Sequence, residues 1–222
     1  MREDLLAWAT ATVGPILETH PLHDDQGPWR LTTRARPVVL RAPTPRIDPA
    51  MIATAALTRM HAIAMQPADH LPFRPRPIAV DDFATDRRTG RLPTTPLLEE
   101  AHNLVLAHGR PPEPPVFLHG DVWPGNLIWS ANTVAALIDW KTAGVGPPGV
   151  DLSELRKQTA ITFGPEAPTH ALTGWEQSAG HRAPHVPYWD AVAALNTPTT
   201  LYSPTATTRR DTFLSQALAQ LR

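Results

Sequence analysis

Three side chains that carry oxygen stand at short intervals in residues 117–140. Asp121 follows a short apolar run, Asn126 comes five residues later, and Asp139 follows a second apolar run. If they converge on one point, they form a set of hard oxygen ligands without Cys or His. Such a set suits Mg²⁺, which binds a few protein oxygens and keeps positions for water and phosphate.

A β-hairpin is the element expected to bring these side chains together. The apolar runs 127–129 and 134–138 flank the turn-like tetrapeptide 130–133, so they should pair. Asn126 and Asp139 would then lie at the same open end of the hairpin. Taken singly, each residue has a plainer interpretation, because an Asp after a strand is often a cap and an Asn before a strand is often a turn residue.

The joint pattern resembles a known family. His119-Gly120-Asp121 with Asn126 matches the kinase pattern H-R-D-x-x-x-x-N, with Gly in place of Arg. Together with the downstream Ile138-Asp139-Trp140, it resembles the aminoglycoside phosphotransferase family, the small-molecule branch of the kinase-like fold. The run 144–152 is similar to that family's segment after the metal loop. The resemblance is strong over about 115–155 and weaker from there to the C-terminus.

The resemblance implies a role for each matching residue. Asp121 would accept the proton of a substrate hydroxyl or orient that hydroxyl towards the γ-phosphate of ATP. Asn126 and Asp139 would hold Mg²⁺ between the nucleotide phosphates. His119 would be a structural member of the loop, and Asp151 would brace the loop backbone from the following helix. The implied activity is ATP-dependent phosphate transfer to a hydroxyl of a small molecule, such as an aminoglycoside-like compound.

A cationic substrate of that kind would be supported by an acidic pocket. Four acids of the C-terminal half are candidates for its lining, namely Asp151, Glu154, Glu176 and Asp190.

The implied fold is α+β and protein-kinase-like. A mainly helical C-lobe at 57–222 would carry the catalytic-loop β-hairpin, and residues 1–56 would be a truncated, small, β-containing N-lobe. The runs 29–33 and 37–41 are expected to form a hairpin of that lobe. Arg41 stands where the family places the Lys or Arg that binds the nucleotide phosphates, although a solvated arginine at the end of a strand would look the same.

The N-lobe departs from the family in its acids. No Glu occurs between Glu18 and Glu99, and Asp48 is the expected cap of the next helix, so no acid is available to pair with Arg41. Together with the departure described next, this one predicts that ATP binding is weakened or lost.

The helix after Arg41 departs from the family as well. Residues 52–56 look like the start of the N-lobe helix and 57–63 look like the helix that opens the C-lobe, so the two look fused. The remaining strands of the N-lobe and the adenine-binding hinge would then be missing. The alternatives to a working phosphotransferase are therefore a truncated, catalytically impaired relative that serves as a binding module, and an oligomerising scaffold.

Apolar spacing predicts most of the other elements. Residues 19–28 are expected to form a loop, and the proline-rich stretch 66–94 is expected to be a long irregular connection. Helices are expected at 3–13, 48–65, 95–109, 151–162, 167–179, 187–195 and 206–221.

Composition excludes several classes of protein. The 20 Lys and Arg and 21 Asp and Glu give a net charge of -1, which is unsuited to charge-driven binding of nucleic acid. No run of 18 apolar residues occurs, so no membrane partner is expected and the expected location is cytoplasmic. The absence of cysteine excludes disulfides and thiol nucleophiles. A small-molecule hydroxyl substrate is the expected partner, and the sequence does not predict an oligomeric state.

Overall fold

The structure, a computed structural model, describes residues 3–21, 29–40, 56–130 and 133–222. The chain divides into two compact units, residues 1–47 and 48–222. The boundary expected after residue 56 stays a prediction. Arg41 lies outside the described residues.

The described elements mix helices with small sheets, which confirms the predicted α+β class. The helices are α1 (Glu3–Val13), α2 (Thr58–His61), α3 (Phe83–Arg88), α4 (Pro96–His108), α5 (Gly149–Phe163), α6 (Ala167–Ala179), α7 (Val186–Leu195) and α8 (Pro204–Leu221). The strands are β1 (Ile16–Pro21), β2 (Trp29–Thr33), β3 (Pro37–Leu40), β4 (Val116–Leu118), β5 (Leu127–Ser130), β6 (Thr133–Leu137) and β7 (Gly144–Gly146).

The first unit contains α1 and a three-stranded antiparallel sheet in the order β1-β2-β3. The β2–β3 hairpin confirms the pairing predicted for 29–33 and 37–41 as far as residue 40. The core of this first unit contains Ala9 from α1 and Trp29 and Leu31 from β2. The loop predicted at 19–28 is wrong for residues 19–21, which belong to β1. β1 is an exposed edge strand paired to β2, so its side chains show no apolar alternation.

The second unit is mainly helical. Helices α4, α5, α7 and α8 pack around a core that includes Leu98, Leu195, Phe213 and Leu214. α4 begins where the sequence predicts, because the hydroxyl of Thr95 accepts a hydrogen bond from the backbone N–H of Leu98 at 3.3 Å. The four helices predicted after residue 150 are confirmed, with starts within two residues of those expected.

The helix predicted at 48–65 ends earlier than expected. Within the described residues it ends at His61, because the next residues pair with the chain around β4. The backbone N–H of Phe117 donates to the carbonyl of Ile63 at 3.0 Å, and that of Met65 donates to the carbonyl of Pro115 at 3.3 Å. Tertiary pairing therefore overrides the helical pattern after residue 61.

Two further elements position the site. β5 and β6 form the predicted hairpin, which is confirmed. β4 pairs with β7, a short strand that the sequence analysis did not predict. The irregular stretch also contains more structure than expected. It includes helix α3, and its segment 72–74 lies along β7, with the N–H of Arg74 donating to the carbonyl of Val145 at 2.8 Å.

Candidate active site

A tight turn after β4 aims the candidate catalytic residue. Gly120 has a φ of +82°, and a Cβ there would lie 2.3 Å from the carbonyl oxygen of Thr142. Only glycine fits this close approach and this backbone region without strain. The hydroxyl of Thr142 also donates to the carbonyl of His119 at 3.2 Å. The turn of residues 119–121 therefore packs directly against the loop that follows Asp139.

The buried carboxylate of Asp151 binds the backbone of this turn. Asp151, in the first turn of α5, accepts the backbone N–H of His119 with one oxygen and that of Gly120 with the other, each at 2.8 Å. Its side chain is fully buried. Charge-assisted bonds of this kind are short and strong, and the N-terminal turn of a helix favours a negative charge. Asp151 thus fixes the direction in which the chain enters Asp121.

The same carboxylate faces His61, a residue that the sequence analysis did not single out as a site residue. The indole N–H of Trp175 donates to Nδ1 of His61 at 3.0 Å. The ring hydrogen of His61 is therefore on Nε2, which lies 3.5 Å from Oδ2 of Asp151. His61 and Asp151 are 90 residues apart, so local sequence carries no signal for this contact.

His119 links the turn of residues 119–121 to the hairpin. Its Nδ1 accepts the backbone N–H of Asp121 at 3.3 Å, and its Nε2 donates to the carbonyl of Ile138 at 2.9 Å. Because a carbonyl only accepts, the ring hydrogen of His119 is also on Nε2. The ring of Trp140 lies against it, with centroids 4.6 Å apart.

Asp121 and Asn126 are in direct contact. The side-chain amide of Asn126 donates to the backbone carbonyl of Asp121 at 3.0 Å and to Oδ2 of Asp121 at 3.1 Å. The amide oxygen of Asn126 is bonded to the same carbon as this nitrogen but takes part in neither bond. This oxygen is the atom of Asn126 that can bind a cation while the amide nitrogen orients Asp121.

Asp139 joins this pair through the hairpin. The backbone N–H of Ile138 donates to the carbonyl of Asn126 at 2.9 Å, so the two segments run side by side just before Asp139. Asp139 itself has a left-handed backbone, with φ 66° and ψ 59°, a region that Asp tolerates better than most residues. Its carboxylate is partly exposed and lies 3.2 Å from Nζ of Lys141. The predicted juxtaposition of Asn126 and Asp139 at one end of the hairpin is present.

Burial raises the pKa of the Asp121 carboxyl above its usual value. The hydrogen bond from Asn126 and the charges of His119, Lys157 and Lys141 oppose that effect. Burial likewise raises the pKa of Glu154, against the ion pair that Glu154 makes with Lys157 at 2.7 Å. The environment of Asp121 therefore favours a carboxylate that takes up a proton more readily than an exposed one.

The four acids considered for a cationic substrate are all engaged elsewhere. Asp151 holds the loop backbone, and Glu154 pairs with Lys157 inside the protein. Glu176 pairs with Arg182 at 2.7 Å. Asp190 pairs with Arg156 at 2.8 Å. Asp151, Glu154 and Asp190 are buried and bound to donors of the protein itself, so these three do not line an open acidic pocket.

The donor set at the site fits a cation that keeps other ligands. Among the described residues, no group of three or more His, Asp or Glu side chains could hold a metal ion. One amide oxygen and one or two carboxylates match Mg²⁺, which completes its shell with water and phosphate, better than a closed structural metal site. Within the described ranges, no helix is long and apolar enough to cross a membrane.

Comparisons with known proteins identify the family of the chain and the fold that it shares. A family model described as "Phosphotransferase enzyme family" matches residues 3–195. A comparison with curated proteins gave no match.

Solved structures with the same fold include three enzymes. A type I macrolide 2'-phosphotransferase is 20% identical, with a TM-score of 0.50 over 98% of this chain and 78% of that one. A protein from Ralstonia eutropha JMP134, provisionally described as an aminoglycoside phosphotransferase, is 12% identical. Its TM-score is 0.51 over 96% of this chain and 80% of that one. An amicoumacin kinase in complex with AMP-PNP, Ca²⁺ and Ami is 13% identical, with a TM-score of 0.52 over 98% and 76%. These likenesses show a protein-kinase-like fold.

Proposed function

The chain belongs to the phosphotransferase enzyme family, and on that premise we propose that it transfers the γ-phosphate of ATP to a hydroxyl of a small molecule, with Mg²⁺ as cofactor. The observation that carries the proposal is the contact between Asp121 and Asn126, with Asp139 beside them. In the proposal, one of these side chains receives a proton and the two others offer oxygen to a cation.

In this proposal Asp121 acts on the acceptor hydroxyl. Its carboxylate is half-buried, its backbone is fixed through Gly120, and the amide of Asn126 holds its Oδ2. A carboxylate in that setting orients the hydroxyl and takes its proton as the bond to phosphorus forms. The raised pKa of Asp121 favours the proton-accepting step.

Asn126 and Asp139 would hold the metal ion. Bound there, Mg²⁺ would neutralise charge that develops on the phosphates during transfer. Asn126 would serve both partners, since its nitrogen orients Asp121 and its oxygen would be a ligand of the cation. His119 and Asp151 are positioning residues, because they touch the backbone of the two loops. Arg41 remains the candidate for binding the nucleotide phosphates.

The experiment is turnover of ATP in Mg²⁺ with a panel of acceptors, including aminoglycosides, macrolides and small alcohols. We expect ADP release that depends on one acceptor, and a loss of about 10²-fold or more in kcat for Asp121→Ala. Asp139→Ala should be about as damaging, because the site acts as a unit. Asp86→Ala removes a partly exposed carboxylate on α3 and serves as the matched control. Turnover that survives Asp121→Ala would remove Asp121 from the mechanism.

The second candidate function is a catalytically impaired binding module of the same family. It is favoured by the lack of any Glu between Glu18 and Glu99, which leaves Arg41 without the acid that the family pairs with it. Calorimetry with Mg-ATP separates the two candidates. A dissociation constant in the micromolar range contradicts the impaired module, whereas undetectable binding together with no turnover contradicts the enzyme.

A further inference from the structure

Lys141, one of the chain's two lysines, forms an ion pair with the candidate metal ligand Asp139. Nζ of Lys141 lies 3.2 Å from Oδ2 of Asp139, and the two side chains are 66% and 42% exposed. An ion pair as exposed as this contributes little to stability and opens readily. The ammonium nevertheless covers an oxygen that a divalent cation would need.

Two other cationic side chains near the site, those of Lys157 and Arg74, are bound to groups away from Asp139. Lys157 is buried and bound to Glu154 at 2.7 Å. Arg74 donates from Nε and Nη2 to the carbonyl of Ala143, at 3.2 and 3.1 Å. Lys141 is different because its ammonium is exposed and its recorded partner is Asp139. Among these three cations, it is the one whose charge can move without breaking a buried contact.

The backbone beneath Lys141 is fixed, so only its side chain needs to move. Lys141 lies in a short 3₁₀ turn, Trp140–Thr142. The turn is held by the backbone N–H of Ala143, which donates to the carbonyl of Trp140 at 3.0 Å, and by the bond from Thr142 to the carbonyl of His119. A flexible four-carbon stem on a fixed turn can reach more than one anion near Asp139.

We propose that Lys141 is an internal counter-ion of Asp139, the candidate metal ligand. Its ammonium neutralises Asp139 until a divalent cation displaces it, and the released ammonium then contacts a phosphate oxygen of the nucleotide. This proposal rests on the proposed function, because it takes Asp139 as a metal ligand. A divalent ion carries twice the charge of the ammonium and competes for the same oxygen. Lysine is a common partner of phosphate, as a point charge.

The proposal predicts effects of opposite sign on two ligands. Removing the ammonium with Lys141→Met should tighten the binding of Mn²⁺ alone by about five-fold, because the competitor for Asp139 is gone. The same change should weaken the binding of ATP in saturating Mn²⁺ by a similar factor, because one phosphate contact is lost. A residue with a merely structural role would not move the two affinities in opposite directions.

The test measures free Mn²⁺ by electron paramagnetic resonance without nucleotide, and then measures ATP binding by calorimetry in saturating Mn²⁺. Lys141→Arg keeps the charge and should stay close to wild type in both measurements. Arg91→Met removes an exposed cation from an ion pair with Asp86 and should change neither. Tighter Mn²⁺ binding together with weaker ATP binding in Lys141→Met supports the proposal, and any other pair of changes overturns it.

Failure of the proposed function gives a different result. If neither wild type nor Lys141→Met binds Mn²⁺, the metal site at Asn126 and Asp139 is wrong, and the role of Lys141 is wrong with it. If both bind Mn²⁺ equally, the role of Lys141 is wrong and the metal site stands.

Discussion

Oδ1 of Asp151 lies 2.8 Å from the backbone nitrogen of Gly120, and this bond joins the buried start of a helix to the residue just before Asp121. A second bond of the same length joins Oδ2 to His119. Two loop N–H groups that would otherwise be buried without a partner are thus satisfied by one side chain. The position of Asp121 depends on a residue 30 positions further along the chain.

Asp151→Asn should destabilise the protein by about 2–3 kcal/mol. The amide keeps one acceptor oxygen but turns an NH₂ group towards a backbone N–H, so one buried donor loses its partner. Urea unfolding should show a lower midpoint with an unchanged slope. Asp86→Asn, in a more exposed ion pair, should stay within about 1 kcal/mol of wild type. Equal effects of the two changes would show that Asp151 does not hold the loop.

Asp121→Asn should abolish transfer and yet stabilise the protein at pH 7. Burial raises the pKa of Asp121, so the folded state binds its proton more tightly than the unfolded chain does. The ionised carboxylate therefore lowers the free energy of unfolding at pH values above its raised pKa. This loss in the free energy of unfolding disappears as the pH falls through the raised pKa and then below the ordinary pKa range of a carboxyl group. Asparagine does not ionise and still accepts the bond from Asn126.

Urea unfolding of wild type and Asp121→Asn at pH 7 and at about pH 4 tests the sign. The stability gap should be larger at pH 7 and should narrow at the lower pH. A variant that is less stable than wild type at pH 7 would contradict the expectation. In wild type, turnover should fall as the pH drops through the raised pKa, because the carboxylate that accepts the proton is then lost.

Gly120→Ala should be far more damaging than Gly180→Ala. Both glycines have a positive φ, 82° and 75°, so both changes introduce the backbone strain of about 1–2 kcal/mol. At Gly180 nothing lies within 4 Å of the added Cβ, whereas at Gly120 the Cβ would meet the carbonyl oxygen of Thr142 at 2.3 Å. The difference in melting temperature between Gly120→Ala and Gly180→Ala measures the cost of the clash with Thr142. Similar melting temperatures would show that the turn of residues 119–121 shifts to accommodate the added Cβ.

Arg156→Met should cost about 3–5 kcal/mol, because it leaves the Asp190 carboxylate buried without its cation. The guanidinium donates to both oxygens of Asp190 and to the carbonyl of Pro168. These bonds connect α5, which carries Arg156, to α7 and α6. Arg91→Met breaks an exposed pair and should cost less than about 1 kcal/mol. Adding Asp190→Leu to Arg156→Met should restore part of the loss in urea unfolding. No recovery in the double variant would point to lost packing and hydrogen bonds of Arg156 as the main cause.

Local chemistry made part of the fold predictable. Thr95 marks the start of α4 through its capping hydroxyl, and Gly109 marks its end. The hairpin of β5 and β6 follows from two apolar runs around a polar turn. These elements were predictable because the residues that define them are neighbours in sequence.

The elements that depend on distant partners were missed. β7 reads Gly-Val-Gly, and its glycines are required by Pro72 and Arg74, which lie 2.5 and 2.6 Å from the sites of their absent Cβ atoms. His61 reaches Asp151 across 90 residues and receives a bond from Trp175 across 114. The spacing of Asp121, Asn126 and Asp139 pointed to a site, and the resemblance to the family pointed to support from His119 and Asp151. The supporting contacts of His61, Trp175 and Thr142 come from segments whose sequences reveal no such role.

The tautomers of the two histidines fix the direction of each contact that they make. His61 and His119 each accept a hydrogen bond at Nδ1 and carry their hydrogen on Nε2, facing Asp151 and the carbonyl of Ile138. Both ring nitrogens of His119 are therefore engaged with backbone groups, one of them the N–H of Asp121 itself. If Asp121 accepts a proton as proposed, we expect that proton to return to solvent from the partly exposed carboxylate and not to pass through His119.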